Sequence, residues 1–339
     1  MGMAVVDAEK MQLGDNPVDR LHNLLADDMA AADRLIRDRA GSSILLIPQL
    51  ARHLIDSGGK RLRPLLTLAA ARVSGYQGIH HVKLAAAVEF IHTATLLHDD
   101  VVDASTLRRG KIAANIVWGN KPTILVGDFL FSRAFQLMVE AESLAVLDIL
   151  SSAATVIAEG EVLQLKSSNN LGTRETDYLD VVSAKTAALF AAASEAGAVI
   201  ADAPKETSDA FRVYGHNLGI AFQLVDDVLD YSGRQAQMGK SVGDDFREAK
   251  VTLPVILALA RADKEARHFW TRVIESGLQQ EGDLKRAISY VEETGAIRET
   301  QARAQHYAGA ARDALAPLPA SPLRSTLLDI TEFCARRAY

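Results

Sequence analysis

Apolar residues along the chain recur mostly three and four positions apart. Val88, Ile91, Thr95 and Leu96 show the habit in one stretch, and Leu147, Ile149, Leu150, Ala154 and Ile157 in another. This spacing lays apolar side chains along one stripe of a helix. Strict alternation, the mark of a half-buried strand, is hard to find anywhere. No proline lies between Pro122 and Pro204, or between Pro204 and Pro254. Proline breaks helix interiors, so these stretches leave room for long helices. The expected breaks are Ser57-Gly58-Gly59, Arg108-Arg109-Gly110, the polar segment 166–176, the glycine-containing charged segment 232–250 and the proline-rich segment 314–322. No shift of composition marks a second domain, and no repeat of fixed period is present. The pattern predicts one all-α domain over residues 1–339, with roughly ten or more helices at ordinary helix lengths and a loose N-terminal stretch of about twenty residues.

Composition narrows the class. Of 339 residues, 48% are hydrophobic and only 6% aromatic, and the abundant alanine and leucine favour helix. The formal net charge of −6 gives no basic excess, which argues against a nucleic-acid partner. Cys334 is the single cysteine, so no internal disulfide forms and a reducing, cytoplasmic setting is expected. No apolar run approaches the roughly 18 residues needed to cross a bilayer, and Met1 to Lys10 does not read as a signal peptide.

Two acidic clusters carry the chemistry. The first is His98-Asp99-Asp100-Val101-Val102-Asp103 and the second Asp226-Asp227-Val228-Leu229-Asp230. In each, the outer aspartates are four apart and share one face of a helix. Each follows an apolar helical stretch, Ile91 to Leu97 and Ile220 to Val225. A solvated acidic face is the bland reading of one such cluster. Two copies, both after apolar stretches, call for a cation, because crowded carboxylates repel and are costly to bury uncompensated. An all-oxygen donor set with like charges suits Mg²⁺, which takes carboxylates together with phosphate oxygens.

Basic groups accompany the clusters. Gly58-Gly59-Lys60-Arg61-Leu62-Arg63-Pro64 puts Lys60 and Arg63 three apart after a glycine pair. Arg108 and Arg109 follow the first cluster, Lys185 and Thr186 pair an ammonium with a hydroxyl, and Lys240 and Lys250 flank the acidic loop. Singly, each is a surface charge. Beside candidate metal ligands they describe a diphosphate site, and metal with cations can stabilise a departing diphosphate. No nucleophile elbow, Walker loop or dinucleotide fingerprint is present.

With these residues together the chain resembles the trans-isoprenyl diphosphate synthases, or polyprenyl synthetases. The resemblance runs through Gly59-Lys60-Arg61-Leu62-Arg63-Pro64, Asp99 to Asp103 with Arg108-Arg109-Gly110, Gly127-Asp128, Lys185-Thr186, Gly219 to Gln223 leading into Asp226 to Asp230, and Lys250-Val251-Thr252-Leu253-Pro254. It implies an isoprenoid-synthase-type helical bundle with the two clusters facing across a central cavity, usually as a homodimer. It implies that Lys60, Arg63, His92 and Arg109 hold the diphosphate of isopentenyl diphosphate. Arg108, Lys185, Thr186, Gln223 and Lys240 would contact the allylic diphosphate, farnesyl or geranylgeranyl diphosphate. Asp99, Asp100, Asp103, Asp226, Asp227 and Asp230 would bind Mg²⁺, with Asp99, Asp100, Asp103, Lys185 and Asp226 as the catalytic set. In the implied reaction the allylic diphosphate ionises, the double bond of isopentenyl diphosphate attacks the cation, and a proton leaves. His92 stands seven residues before Asp99, two turns away on the same helix face, whereas His98 is read as a neighbour of the cluster and His216 as structural. One departure is Ala249, where the family often has glycine before the lysine of the last motif; it predicts a stiffer loop.

Product length is read one turn before the first cluster. The family stops at short products when Phe or Tyr occupies the positions of Ala94 or Thr95, so these small residues imply an open tunnel and an octaprenyl to decaprenyl product of the kind used for quinone side chains, delivered to a membrane. Phe135 or Met138 is expected deeper along the tunnel. A farnesyl or geranylgeranyl synthase is the nearest alternative. A terpene cyclase is disfavoured by the second Asp-Asp-x-x-Asp cluster, and an inactive partner subunit by the intact aspartates.

Overall fold

The computed structural model describes residues 16–232 and 243–336, and its framework is helical throughout. Helix α1 (Pro17–Leu24) starts where Asn16 accepts a hydrogen bond from the Val18 amide at 3.0 Å, with proline in the first turn; both are strong start signals. Residues 17–20 of the stretch expected to be loose are thus helical, and what precedes Asn16 lies outside the described residues. There follow α2 (Ala26–Arg39), α3 (Leu46–Ile55), α4 (Leu62–Val73) and α5 (His80–Val102). Helix α5 carries Leu84 to Val88, Phe90, Ile91, Ala94 and Leu97 fully buried and ends in the first aspartate cluster, with Asp103 as its cap residue.

One short piece of sheet was not anticipated. Strands β1 (Leu107–Arg108) and β2 (Lys111–Ile112) pair antiparallel, Leu107 opposite Ile112 and Arg108 opposite Lys111. The turn between them places Arg109 at φ 52° and Gly110 at φ 76°, as a two-residue hairpin with two positive φ values requires. Two residues per strand are too few for alternation to show in sequence.

Beyond the hairpin come α6 (Ala114–Trp118), α7 (Asn120–Val139), α8 (Leu144–Ser167) and α9 (Glu175–Val182). A π-helical turn, Ser183–Ala187, then leads directly into α10 (Ala188–Val199). Helix α11 (Lys205–Tyr231) starts after Pro204 and contains the second cluster. The chain closes with α12 (Asp244–Arg247), α13 (Leu253–Ala260), α14 (Lys264–Trp270), α15 (Asp283–Glu293), α16 (Ala296–Leu315) and α17 (Pro322–Arg336). The proline-rich segment does separate the last helix.

The buried residues form three clusters. One joins α5, α7, α8 and α10; a second joins the end of α11 to α13, α15 and α16; a third joins α1, α2, α4, α17 and the first half of α11. Helix α10 is apolar around most of its circumference, with Leu189 to Ala193, Ala196 and Ala198 buried, as a central helix must be. Two glycines set how closely the π-turn is held. A Cβ on Gly160 of α8 would stand 2.8 Å from Ala184 Cβ, and one on Gly219 of α11 would stand 2.6 Å from Ala187 Cα. Only hydrogen fits at either contact, so α8 and α11 press on the turn from two sides. No helix among the described residues is long and apolar enough to cross a membrane.

Candidate active site

The two aspartate clusters lie at the C-terminal ends of α5 and α11, and the π-turn links them. Lys185 on that turn places Nζ 2.7 Å from Glu161 Oε2 and 3.6 Å from Asp99 Oδ2. Thr186, the next residue, donates to Gln223 Oε1 of α11 at 3.0 Å. Single-turn π segments inserted in helices are frequent at functional sites, and here the insertion turns an ammonium to one cluster and a hydroxyl to the other. Lys250 completes the link, with Nζ 3.2 Å from Asp103 Oδ2 and an ion pair to Glu248.

Within the first cluster the three aspartates have different partners. Asp100 is fully buried and takes Arg108 on Oδ1, Nε at 2.7 Å and a terminal nitrogen at 2.6 Å, while its Oδ2 has no partner. Burial raises the pKa of Asp100 against the opposing pull of Arg108. Asp99 is also raised, by burial first, with Lys185 lowering it and Asp103 raising it. A second cation near Asp99 and Asp103 would favour the ionised forms.

In the second cluster the hydrogen bonds run inward. Asp227 is 2% exposed; Tyr178 of α9 donates to its Oδ2 and Gln223 Nε2 donates to its Oδ1 at 2.8 Å. Burial pushes this carboxyl up to about 7, against the lowering effect of those two donors. Asp230 accepts the backbone amides of Gly243 and Asp244 on Oδ1, both at 3.1 Å, and of Asp245 on Oδ2 at 3.0 Å. It thereby holds the start of α12; burial still raises it to about 6. Asp227 and Asp230 thus accept protein donors on both oxygens, each of which keeps a further lone pair that a cation could share.

The expected basic pocket assembles on α4, α5 and the hairpin. Arg63 stacks over the Phe190 ring with its guanidinium carbon 4.4 Å from the centroid, and one terminal nitrogen stands 3.3 Å from His92 Nε2. Its Nε is buried without a partner. Burial depresses Arg63 to about 10, partly offset by Glu89, and Arg109 adds repulsion. Burial likewise holds His92 well below its usual value, reinforced by Arg63, Arg109, Arg108 and Arg61. His92 is therefore neutral, and its Nε2 accepts from Arg63. Arg109 donates to the Gly58 carbonyl, and Lys60 Nζ lies 5.2 Å from the Phe333 ring centroid. Arg61 and Arg109 occupy the left-handed region at φ 47° and 52°, a strain that persists where the surroundings impose it.

Among the described residues no three His, Cys, Asp or Glu side chains converge as a ready metal cage. The oxygen donors of Asp99 and Asp103, four apart at the end of α5, suit a hard cation completed by phosphate oxygens and water. Lys240 lies outside the described residues. Ala94 is fully buried in the first core cluster, as is Met138, while Phe135 is 40% exposed on α7. Thr95 turns its hydroxyl to the His92 carbonyl at 2.8 Å. His98 stands 3.3 Å from Asp128 and stacks on Phe131, and His216 pairs with Ser183 at 2.8 Å.

Sequence reading missed three contributors. Glu161 stands two residues after Glu159 in the mostly apolar run of α8, and nothing in the sequence singled it out from that neighbour. Glu89, 4% exposed and paired with Arg61, had no spacing to connect it with distant arginines. Tyr178 gave no signal, since nothing in its neighbourhood shows that it meets Asp227.

Residues 45–291 match the family model for polyprenyl synthetases. The chain is similar to octaprenyl diphosphate synthase of Escherichia coli (strain K12), 42% identical over 320 residues covering 94% of this chain and 99% of the relative. Its fold matches the crystal structure of a polyprenyl synthase from Caulobacter crescentus CB15 complexed with calcium and isoprenyl diphosphate, at TM-score 0.91 and 55% identity, over 94% of this chain and 97% of the other. It also matches that of a decaprenyl diphosphate synthase from Rhodobacter capsulatus, at TM-score 0.91 and 54% identity, over 95% and 99% of the two chains.

Proposed function

The chain belongs to the polyprenyl synthetase family, and we propose on that premise how it acts as a prenyltransferase that makes a long-chain all-trans-polyprenyl diphosphate. The observation that carries the proposal is one mouth where Lys185 and Lys250 stand on Asp99 and Asp103, beside a second pocket in which Arg63 meets His92 at 3.3 Å and the charges of Arg109 and buried Glu89 act on Arg63. Two anionic substrates need two such places.

The first mouth takes the allylic diphosphate, farnesyl or geranylgeranyl diphosphate, and the second takes isopentenyl diphosphate. Asp99, Asp103 and Asp226 would hold Mg²⁺, which when bound supplies positive charge for the departing diphosphate. Asp100 positions Arg108 through its buried Oδ1 contact. Lys185, Lys250, Thr186 and Gln223 orient the leaving group, so that the carbon–oxygen bond breaks with both electrons going to oxygen. Neutral His92 and Arg63 hold the second diphosphate with its double bond toward the cation. The new carbon–carbon bond forms from the electron pair of the isopentenyl double bond, the resulting cation gives a proton to the departed diphosphate as the new double bond forms, and the longer allylic product re-enters the cycle. Ala94 and Thr95 would border the path of the growing chain, and octaprenyl to decaprenyl is the proposed product range.

A homodimer is part of the proposal. Adjacent helices α7 and α8 leave Leu125, Val139, Leu144, Val162 and Leu165 exposed, and large exposed apolar faces mark interfaces. A cytoplasmic location is also proposed, resting on the lone buried thiol of Cys334; the apolar product would pass to a membrane. The test incubates the protein with Mg²⁺, labelled isopentenyl diphosphate and farnesyl diphosphate, and separates the dephosphorylated products by chain length. A ladder ending between octaprenol and decaprenol supports the reading. A stop at farnesol or geranylgeraniol overturns the long product, and a cyclic hydrocarbon overturns the elongation chemistry.

A further inference from the structure

Three elements meet in one hydrogen-bonded chain beside the first mouth. It starts at Tyr178 of α9, 6% exposed, whose hydroxyl donates to Asp227 Oδ2. It continues from Gln223 Nε2 to Asp227 Oδ1 at 2.8 Å, and from the Thr186 hydroxyl to Gln223 Oε1 at 3.0 Å. The direction of every bond follows from the groups present. An amide N–H only donates, so Gln223 Nε2 gives its hydrogen to Asp227 and the Gln223 carbonyl faces Thr186, whose hydroxyl donates, while the Tyr178 hydroxyl donates to the other Asp227 oxygen. The same four residues, with Lys185 and Lys250, line a cavity of about 130 Å³. Asp227 thus anchors an amide whose second N–H is left for a ligand, and a hydroxyl whose lone pairs remain while its proton points at Gln223.

We infer that Tyr178 is a positioning residue for allylic diphosphate binding, acting through Asp227 to fix the amide of Gln223 and the hydroxyl of Thr186. The inference rests on the proposed roles of Gln223 and Thr186 and adds a residue to them. Tyr178 acts only through this carboxylate; its hydroxyl supplies the donor for one of the two oxygens of buried Asp227. Without it Asp227 Oδ2 is left buried and unpaired, and Asp227 can recover a donor only by turning away from Gln223. The loss should fall on the ligand that Gln223 and Thr186 contact, and spare the one held by Arg63 and His92 on α4 and α5.

The experiment measures binding of two ligands, a non-ionising allylic thiodiphosphate and isopentenyl diphosphate, with Mg²⁺ present, to wild type, Tyr178→Phe, Asp227→Asn, Gln223→Ala and the Tyr178→Phe/Gln223→Ala double variant. Tyr178→Phe and Asp227→Asn should each weaken the allylic analogue about tenfold, with isopentenyl diphosphate within about twofold of wild type, and in the Gln223→Ala background Tyr178→Phe should cost less than about twofold, because residues acting through one network are not additive. Equal weakening of both ligands, additive losses in the double variant, or a lower Tm with both affinities unchanged overturns the relay. If wild type elongates isopentenyl diphosphate and Tyr178→Phe binds like it, the relay alone fails; if wild type binds no allylic analogue, the functional reading fails and the relay with it.

Discussion

Lys250 Nζ lies 3.2 Å from Asp103 Oδ2, a contact between residues 147 positions apart in the chain. Burial opposes the charge on Lys250, yet Asp245, Asp103 and Glu248 together raise its pKa, so it stays an ammonium throughout the physiological range. Replacing it with methionine keeps the stem and removes the charge. Lys250→Met should lower kcat/KM for the allylic substrate by about a hundredfold while leaving KM for isopentenyl diphosphate little changed. Steady-state kinetics varying each substrate in turn would check this; a loss shared equally between the substrates would refute it.

Ala94 is fully buried one turn above the first cluster, in the core between α5 and its neighbours. A phenylalanine there adds a ring on the proposed path of the growing chain. Ala94→Phe should shift the product ladder to shorter chains, with an overpacking cost of about 1–3 kcal/mol. Reversed-phase separation of the products reads the shift, and an unchanged product length would remove Ala94 from the tunnel.

Ala249 sits at φ 52°, just before Lys250. A Cβ in the left-handed region costs roughly 1–2 kcal/mol, and glycine gives part of that back through greater freedom of the unfolded chain. Ala249→Gly should therefore raise stability by up to about 1 kcal/mol, seen as a higher denaturation midpoint. A lower midpoint would show that the alanine methyl contributes more by packing than the backbone loses by strain.

His81 is 1% exposed, with Nε2 3.1 Å from Asp28 Oδ1, and Asp28 also accepts two hydrogen bonds at 2.7 Å from Arg72. Burial lowers the pKa of His81 below 6.5, against the raising effect of Asp28. The unfolded chain therefore binds the proton first. This contribution to stability is complete above about 6.5 and is lost as pH falls through the lower folded value. Tm measured from pH 7.5 to 5 should fall, and His81→Gln should flatten the slope whatever it does to Tm at pH 7.5. An unchanged slope would assign the acid sensitivity to other buried groups, His92 and His216 among them.

Much of the molecule is written locally. Helical periodicity and the placing of prolines determine that α5 and α11 exist and end near the aspartates, because those signals act within a few turns of one helix. The same holds for the basic residues of the Lys60 to Arg63 segment, which are recognisable by type and spacing. The hairpin at Leu107–Ile112 was illegible because two residues per strand carry no period.

What only the tertiary structure decided is which group meets which. From sequence, Asp226, Asp227 and Asp230 are three equivalent carboxylates. In the fold, Tyr178 and Gln223 occupy Asp227, and the amides of Gly243 to Asp245 occupy Asp230. Lys185 reaches Asp99 because Gly160 and Gly219 let α8 and α11 close on the π-turn, and a π-turn has no sequence signature of its own. The physical reason is range. Periodicity and capping act between neighbours in the chain, whereas the protonation and orientation of a buried carboxylate are set by donors that arrive from dozens of residues away.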